Sequence, residues 1–272
     1  MHVSGADSWE VHLRWQEKIN DQGVFLERER VEMWDPARTA IVICDMWDDH
    51  WCRSAARRVN ELAVPLNAMV AEARARGAFI IHAPSSVTVY YRDTPQRRRA
   101  RQAPFHPTPV PLSKAERWGT AWCWPAPGRE PELPIDDSDM GCDCPHKCEI
   151  REAWTRQSKL IEMREEDALT DDGQETHNLL EERGIDQVVL VGVHLNMCVL
   201  GRPFGIRQMV TVGKKVALMR DMTDTMYDPR REPRVSHFRG TELVVGHVER
   251  YWCPTMLSSD VTGKPAFRFM GQ

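Results

Sequence analysis

Two side chains capable of acyl-transfer chemistry follow short apolar runs of the sequence: the carboxylate of Asp45 and the thiol of Cys198. Asp45 ends the run TAIVICD, and Cys198 stands shortly after the run QVVLVG, in the segment GVHLNMCV. A carboxylate can move a proton, and a thiolate is a strong nucleophile. A cysteine that opens a helix also feels the positive end of the helix dipole, which predicts a lowered pKa for Cys198. The structural alternatives are a loop carboxylate and a buried core cysteine.

The elements that must position these side chains are apolar runs bounded by turns, which predict buried parallel strands. Five runs are clear and a sixth, at Lys159 to Met163, is weaker. The five clear runs are Thr39 to Asp45, Ala78 to Ala83, Gln187 to Gly192, Lys215 to Asp221 and Thr241 to Val245.

Helical spacing of apolar residues separates several of these runs. It predicts helices over 54–76 and 173–183, and a third that opens near Cys198 and ends near Gly213. Alternating strands and helices predict an α/β fold with a mostly parallel sheet of about six strands, covered on both faces. In such a sheet the site lies at the carboxyl ends of the strands.

Two segments depart from this alternation. Residues 1–35 contain two alternating stretches, which predict a two-stranded β extension at the edge of the sheet. Residues 84–155 are rich in proline, tryptophan and cysteine and show no persistent helical or strand period, so we interpret them as a long insertion. We therefore expect a single domain over residues 1–272.

The elements VICDMW and GVHLNMCV together resemble the isochorismatase-like cysteine hydrolases, which include nicotinamidases and N-carbamoylsarcosine amidases. The resemblance covers roughly residues 36–84 and 158–250. It implies a three-layer αβα, Rossmann-like fold with an Asp-Lys-Cys triad, in which Cys198 is the nucleophile and Asp45 the acid and base. It also implies a cis peptide between Val193 and His194, and an oxyanion hole made by the backbone amides of His194 and Cys198.

The lysine of that triad has no exact counterpart in this chain. The family places it at the end of the strand before the helix that leads to the cysteine, and the stretch LIEMREEDAL contains none. Lys159, at the start of that predicted strand, is the tentative third member, although a strand rises ~3.3 Å per residue and the shift exceeds ~10 Å. The alternatives for the third position are Arg164 and three acidic residues, Glu162, Glu165 and Glu166.

A metal ion is not expected in the reaction, and no cofactor is expected either. Nicotinamidases of the family carry an Asp-x-His motif after the second strand, whereas the corresponding loop here, HAPSSVT, is followed by none. Nicotinamide is therefore a poor candidate substrate. Elsewhere, Cys142, Cys144 and Cys148, with His146 among them, offer a weak possibility of a zinc site; a local disulfide or free thiols are the alternatives.

Candidate substrate-binding residues lie close to Asp45 and Cys198 in the sequence. Trp47 and Trp51 follow Asp45 directly, Asn196 precedes Cys198, and Arg202 stands one helical turn after it, where it could bind a substrate carboxylate. Other tryptophans can line a pocket or anchor the insertion, namely Trp118, Trp122 and Trp124. The basic run 97–101 is interpreted as a solvated or oligomer-facing surface.

Composition limits the classes of partner. A net charge of −4 gives no electrostatic footprint for nucleic acid, and no apolar run approaches the length of a membrane span. The polar, acidic N-terminus does not have the regions of a secretory signal peptide, so we expect a cytoplasmic protein. We expect a small-molecule substrate and a homo-oligomer, with neither nucleic acid nor membrane as a partner.

These observations predict a cysteine hydrolase that cleaves an amide, carbamoyl or ureido C–N bond through a thioester acyl-enzyme. Family members that cleave the vinyl ether of isochorismate lack the cysteine, so a vinyl ether hydrolase is an alternative that Cys198 disfavours. A second alternative is a catalytically inactive binding protein with the hydrolase fold. A third is a redox or zinc-dependent protein centred on residues 142–148.

Overall fold

The centre of the protein is one mixed β-sheet. We describe it from a computed structural model that covers residues 8–110, 123 and 128–272. Within those residues the sheet has eight strands. They are β1 (Trp9–Lys18), β2 (Phe25–Trp34), β3 (Thr39–Cys44), β4 (Phe79–Ala83), β5 (Ala168–Leu169), β6 (Gln187–Val193), β7 (Lys215–Asp224) and β8 (Thr255–Met256).

The spatial order of the strands is β2-β1-β8-β7-β6-β3-β4-β5. The six strands from β8 to β5 run parallel, whereas β1 and β2 form an antiparallel hairpin whose strand β1 pairs with β8. The expected parallel sheet of about six strands and the β extension at its edge are both confirmed.

Helices cover both faces of the sheet. The described helices are α1 (Arg53–Ala75), α2 (Pro95–Gln102), α3 (Gly173–Glu182), α4 (Ile206–Thr211), α5 (His237–Tyr251) and α6 (Ser259–Thr262). Alternate residues of β3 divide between two hydrophobic cores, with Ile41 and Ile43 packed beside α1 and Ala40 and Val42 beside α3, α4 and α5. This is the expected three-layer αβα arrangement. None of the described helices is long and apolar enough to cross a membrane.

Two of the predicted strands are wrong. Residues 241–245 lie inside α5, where buried residues recur at helical spacing, as at Thr241, Val244, Val245 and Val248, and Ser236 caps the helix by accepting from the Arg239 amide. Residues 159–163 form a turn and an irregular segment in which Ile161 alone is buried. The strands that take their places in the sheet, β8 and β5, have two residues each, too few to show a period.

Two further predictions need correction. The helix expected from Cys198 to Gly213 is divided into a π-helical turn, Leu195–Val199, and α4. The insertion at 84–155 contains α2, which is capped by Thr94 and carries the whole basic run 97–101. Arg97 of this helix forms an ion pair with Glu175 of α3, so this part of the run packs against the protein.

Gly192 lets β6 approach β3 at the edge where the candidate residues lie. It has a φ of +97°, and a Cβ at this position would overlap the Cys44 carbonyl oxygen. Cys44 in turn donates its thiol hydrogen to the Val193 carbonyl over 3.3 Å. The carboxyl ends of the two strands are thus held in direct backbone contact.

We predict that Gly192→Ala destabilises the fold far more than Gly184→Ala. Both glycines have a positive φ, but nothing lies within 4 Å of a Cβ at Gly184, so that variant measures conformational strain alone. We expect losses of about 1 kcal/mol for Gly184→Ala and of more than about 3 kcal/mol for Gly192→Ala, measured by urea unfolding. Equal losses would show that the two strands do not approach so closely.

Candidate active site

Asp45 lies directly after β3, at the carboxyl edge of the parallel sheet. It has a φ of 45°, in the left-handed region that aspartate tolerates better than most residues. Its side chain is fully buried, and Oδ1 accepts a hydrogen bond of 2.6 Å from the Ser85 amide in the loop after β4. The carboxylate is therefore fixed between two neighbouring strand ends.

Cys198 lies in the π-helical turn that follows β6, the strand beside β3. The peptide bond between Val193 and His194 is cis, as the family resemblance implied. The turn is closed by the Met197 and Val199 amides, which both donate to the His194 carbonyl oxygen. Cys198 is 5% exposed, and the Asp45 carboxylate is near enough to raise the pKa of its thiol, so the structure brings the two predicted residues together.

Arg202 completes a buried group of three with Asp45 and Cys198. Its amide donates to the Cys198 carbonyl over 2.9 Å, which places it one helical turn further along the chain. Its Nε lies 4.0 Å from Asp45 Oδ2, and its positive charge lowers the pKa of the Cys198 thiol. Arg202 was expected to bind a substrate carboxylate; the structure instead places it against the carboxylate of Asp45.

The pKa values of this group follow from burial and from the charges within it. Burial raises the pKa of Asp45, although Arg202, the Cys198 thiol and the Ser85 amide oppose that shift. Burial also raises the pKa of Cys198, and the Asp45 carboxylate raises it further while Arg202 lowers it. The lowered pKa expected for Cys198 is therefore wrong, because the thiol is desolvated and adjoins an anion. The resting thiol of Cys198 is therefore neutral.

The structure does not bring Lys159 into this group. Lys159 is exposed in a turn, whereas Asp45 and Cys198 are buried, and the cation that acts on the pKa of Asp45 is Arg202. The other residues considered for the third position of the triad are exposed as well. Arg164 is 55% exposed in its side chain and pairs with Glu162, and Glu165 and Glu166 are exposed as well.

A stack of aromatic rings stands beside the group. The rings of Trp47 and Trp154 are parallel with centroids 4.2 Å apart, and His50 stacks on Trp154 at 5.7 Å. His50 also meets Trp51 at 5.4 Å and the ring of His194 edge-on at 5.0 Å. Trp47 and Trp51 are mostly buried, so they form part of a wall rather than an exposed surface. Trp118, Trp122 and Trp124 lie outside the described residues.

His50 is a neutral member of this wall. Its Nδ1 accepts a hydrogen bond of 3.0 Å from the Cys52 amide, and burial lowers the pKa of its ring to about 4. The neighbouring Asp48 accepts hydrogen bonds from the Thr155 amide and hydroxyl. Both residues thus hold the loops together.

Asn196 is engaged within the protein. Its amide nitrogen donates to Asp137 Oδ2 at 2.7 Å and to the Met226 carbonyl at 3.0 Å, while its oxygen accepts from the Met226 amide. These contacts fasten the loop that contains Asp137, and the segment that follows β7, to the turn of Cys198. Substrate binding by Asn196 stays a prediction, as does the oxyanion role of the His194 and Cys198 amides.

The cysteines of the insertion do not lie alone. Cys142 and Cys144 meet Cys52, which immediately precedes α1, and Cys148 packs at the edge of the same cluster. Cys52 was missed in the sequence because it stands far from the other three. A cysteine at the start of a long helix was the one available signal.

Comparison with solved structures finds proteins of similar fold. A cysteine hydrolase from Pseudomonas syringae pv. phaseolicola 1448A is 13% identical over 91% of this chain and 94% of its own, with a TM-score of 0.49. An isochorismatase family protein from Burkholderia thailandensis is 12% identical over 84% of this chain and 95% of its own, with a TM-score of 0.47. An isochorismatase-like hydrolase from Alkaliphilus metalliredigens is 15% identical over 84% of this chain and 96% of its own, with a TM-score of 0.43.

These proteins carry names from the family that the two sequence elements resemble. No protein-family profile matches the chain, and no curated protein matches it. The roles assigned to individual residues below therefore rest on the geometry of this chain.

The charges around Cys198 predict opposite effects of two substitutions on its alkylation by iodoacetamide. Asp45→Asn removes the anion that raises the pKa of Cys198 and should accelerate labelling at neutral pH. Arg202→Met removes the cation that lowers this pKa and should slow it, with about tenfold in rate for each unit of pKa. Mass spectrometry across a pH series locates the modified cysteine, and Cys198→Ala identifies its signal. Shifts in the same direction for both variants would contradict the arrangement.

Proposed function

We propose that this chain is an isochorismatase-like cysteine hydrolase that cleaves the C–N bond of an amide, carbamoyl or ureido group in a small molecule. In this proposal Cys198 is the nucleophile, Asp45 is the acid and base, and Arg202 is the cation of the triad. One observation carries it: a thiol, a carboxylate and a guanidinium share a buried site at the carboxyl edge of a parallel sheet.

The first half of the reaction uses the contact between Cys198 and Asp45. The thiol proton passes to the Asp45 carboxylate as sulfur attacks the carbonyl carbon of the substrate, and the C=O electron pair moves to oxygen. The resulting oxyanion faces the backbone amides of His194 and Cys198. The C–N bond then breaks, the leaving nitrogen takes the proton from Asp45, and a thioester on Cys198 is left.

Water completes the cycle through the same carboxylate. Asp45 removes a proton from water as the oxygen attacks the thioester carbonyl, and the C–S bond then breaks. The sulfur leaves as a thiolate and recovers its proton from Asp45. Every proton that moves is thus carried by the Asp45 carboxylate. Its raised pKa lies closer to neutral pH, where both its protonated and its ionised form are available.

Arg202 takes the place that the family resemblance gives to a lysine. A fully buried carboxylate and a forming thiolate both need a nearby positive charge, because desolvation otherwise favours their neutral forms. Arg202 supplies that charge to both groups from one turn beyond the nucleophile. A guanidinium also keeps its proton under all conditions of interest, so it acts as a fixed charge and not as a proton carrier.

The raised pKa of Cys198 bears on the main alternative, a binding protein with the hydrolase fold. A thiol held neutral by burial is inert until a substrate carbonyl accepts the developing charge. The close approach of Asp45 to Cys198 favours the hydrolase, because a cavity that only binds ligand gains nothing from a desolvated carboxyl group beside a thiol.

We predict distinct kinetic effects for the two cations. With an amide, carbamate or urea found by screening, Arg202→Met should lower kcat/KM by about 10²-fold, because the buried anions lose their counter-charge. Lys159→Met is the matched control and should stay within about twofold of wild type, since an exposed lysine contributes little to a buried pair. A large loss for Lys159→Met and a small one for Arg202→Met would show that Lys159 is the cation of the triad.

Trapping the thioester tests the nucleophile directly. Intact-mass spectrometry of enzyme quenched in acid during turnover should show one acyl group on Cys198, and Cys198→Ala should show none. Asp45→Asn should lower kcat by about 10²- to 10⁴-fold, the usual range for loss of a general acid or base. A wild-type protein that binds these compounds but releases no amine would instead be the inactive binding protein.

A further inference from the structure

Four cysteines outside the candidate active site converge at the beginning of α1. The sulfur atoms of Cys52, Cys142 and Cys144 all lie within 4.8 Å of one another. Cys148 packs against the same cluster. All four are free thiols, and neither the proposed triad nor the aromatic wall uses them for chemistry.

The spacing of the sulfur atoms fits a metal ion better than a disulfide. Cys52 Sγ and Cys144 Sγ are 3.9 Å apart, nearly twice the ~2.05 Å of an S–S bond. Four thiolates that each lie about 2.3 Å from a zinc ion in a tetrahedron stand about 3.8 Å from one another. Cys52, Cys142 and Cys144 therefore have the spacing of three thiolates of a tetrahedral site, and Cys148 lies at the edge of the same cluster.

The backbone around the cluster is held from both sides. Cys52 precedes a helix of 23 residues, and the amide of Ser54, in its first turn, donates to Cys144 Sγ over 3.3 Å. Ser54 also places its hydroxyl 3.2 Å from the same sulfur. Amides at the start of a helix stabilise negative charge, which suits a metal-bound thiolate.

Two arginines fix the loop that carries the other ligands. Arg58 of α1 donates to both carboxylate oxygens of Asp143, at 2.8 and 3.3 Å, between Cys142 and Cys144. Arg230 donates to the Cys144 carbonyl at 3.0 Å.

We propose that Cys52, Cys142, Cys144 and Cys148 form a tetrahedral thiolate site for a soft divalent cation such as Zn²⁺. Each ligand thiol releases its proton to solvent when it binds the metal, and no electron is transferred. The ion fastens the 141–148 loop to the beginning of α1. Trp51, Trp154 and Met197 pack on the same cluster, so the ion also steadies one wall of the candidate active site.

Titration of the reduced, metal-stripped full chain with Co²⁺ tests this site without any need for a substrate. We expect about one equivalent to bind with the intense near-ultraviolet absorption of cobalt–thiolate bonds, and Zn²⁺ to displace it. Cys52→Ser and Cys148→Ser should each weaken Zn²⁺ binding by more than about tenfold. Cys253→Ala, which removes a buried thiol elsewhere in the core, should leave binding unchanged.

Zn²⁺ should also raise the Tm of the wild-type chain and protect the four thiols from alkylation. Reduced wild type that takes up no Co²⁺ and gains no protection would overturn the proposal, and it needs no variant to fold. Zn²⁺ binding by Cys52→Ser that is as tight as that of the wild type would overturn the ligand assignment. Mass spectrometry of protein purified without oxidant shows a disulfide as a loss of two hydrogens. A disulfide between two of the four cysteines would contradict the metal site and show that the cluster is a covalent cross-link.

Discussion

The burial of a carboxyl group beside a thiol is the constraint on which the rest of this site depends. A desolvated Asp45 is unfavourable as an anion unless hydrogen-bond donors and a cation surround it, and the Ser85 amide and Arg202 supply these. Each partner comes from a different part of the sheet edge. The three groups can meet only when three segments are correctly placed relative to one another: the end of β3, the loop after β4 and the turn after β6.

Several contacts keep the segments that carry Asp45, Cys198 and Arg202 in place. Gly192 lets β6 touch the end of β3, and Asn196 ties the turn of Cys198 to the connection after β7. Arg58 links α1 to Asp224 at the end of β7, and His237 bonds the same carboxylate from α5. Burial raises the pKa of Asp224, but Arg58 and His237 outweigh that effect and hold it below its usual value, so the Asp224 carboxylate stays ionised.

The positive charge beside Asp45 comes from the same local element as the Cys198 thiol. The Arg202 amide donates to the Cys198 carbonyl, so the guanidinium belongs to the helical turn that follows Cys198. A shift of this turn would therefore move the Cys198 thiol and the Arg202 guanidinium together. The thiol cluster acts in a similar way at longer range, because it joins the beginning of α1 to the loop that borders the aromatic wall.

The sequence by itself determined the fold class, the edge hairpin, four of the parallel strands and the pair Asp45 and Cys198, because long apolar runs and turn residues are local signals. It could not locate β5 and β8, whose two residues show no period, and a helix with a dense apolar face at 241–245 imitated a strand. Tertiary structure alone decided that Arg202 faces Asp45, that burial raises the pKa of Cys198, and that Cys52 joins the distant cysteines. Charge partners and desolvation depend on which segments pack together, and sequence spacing does not contain that information.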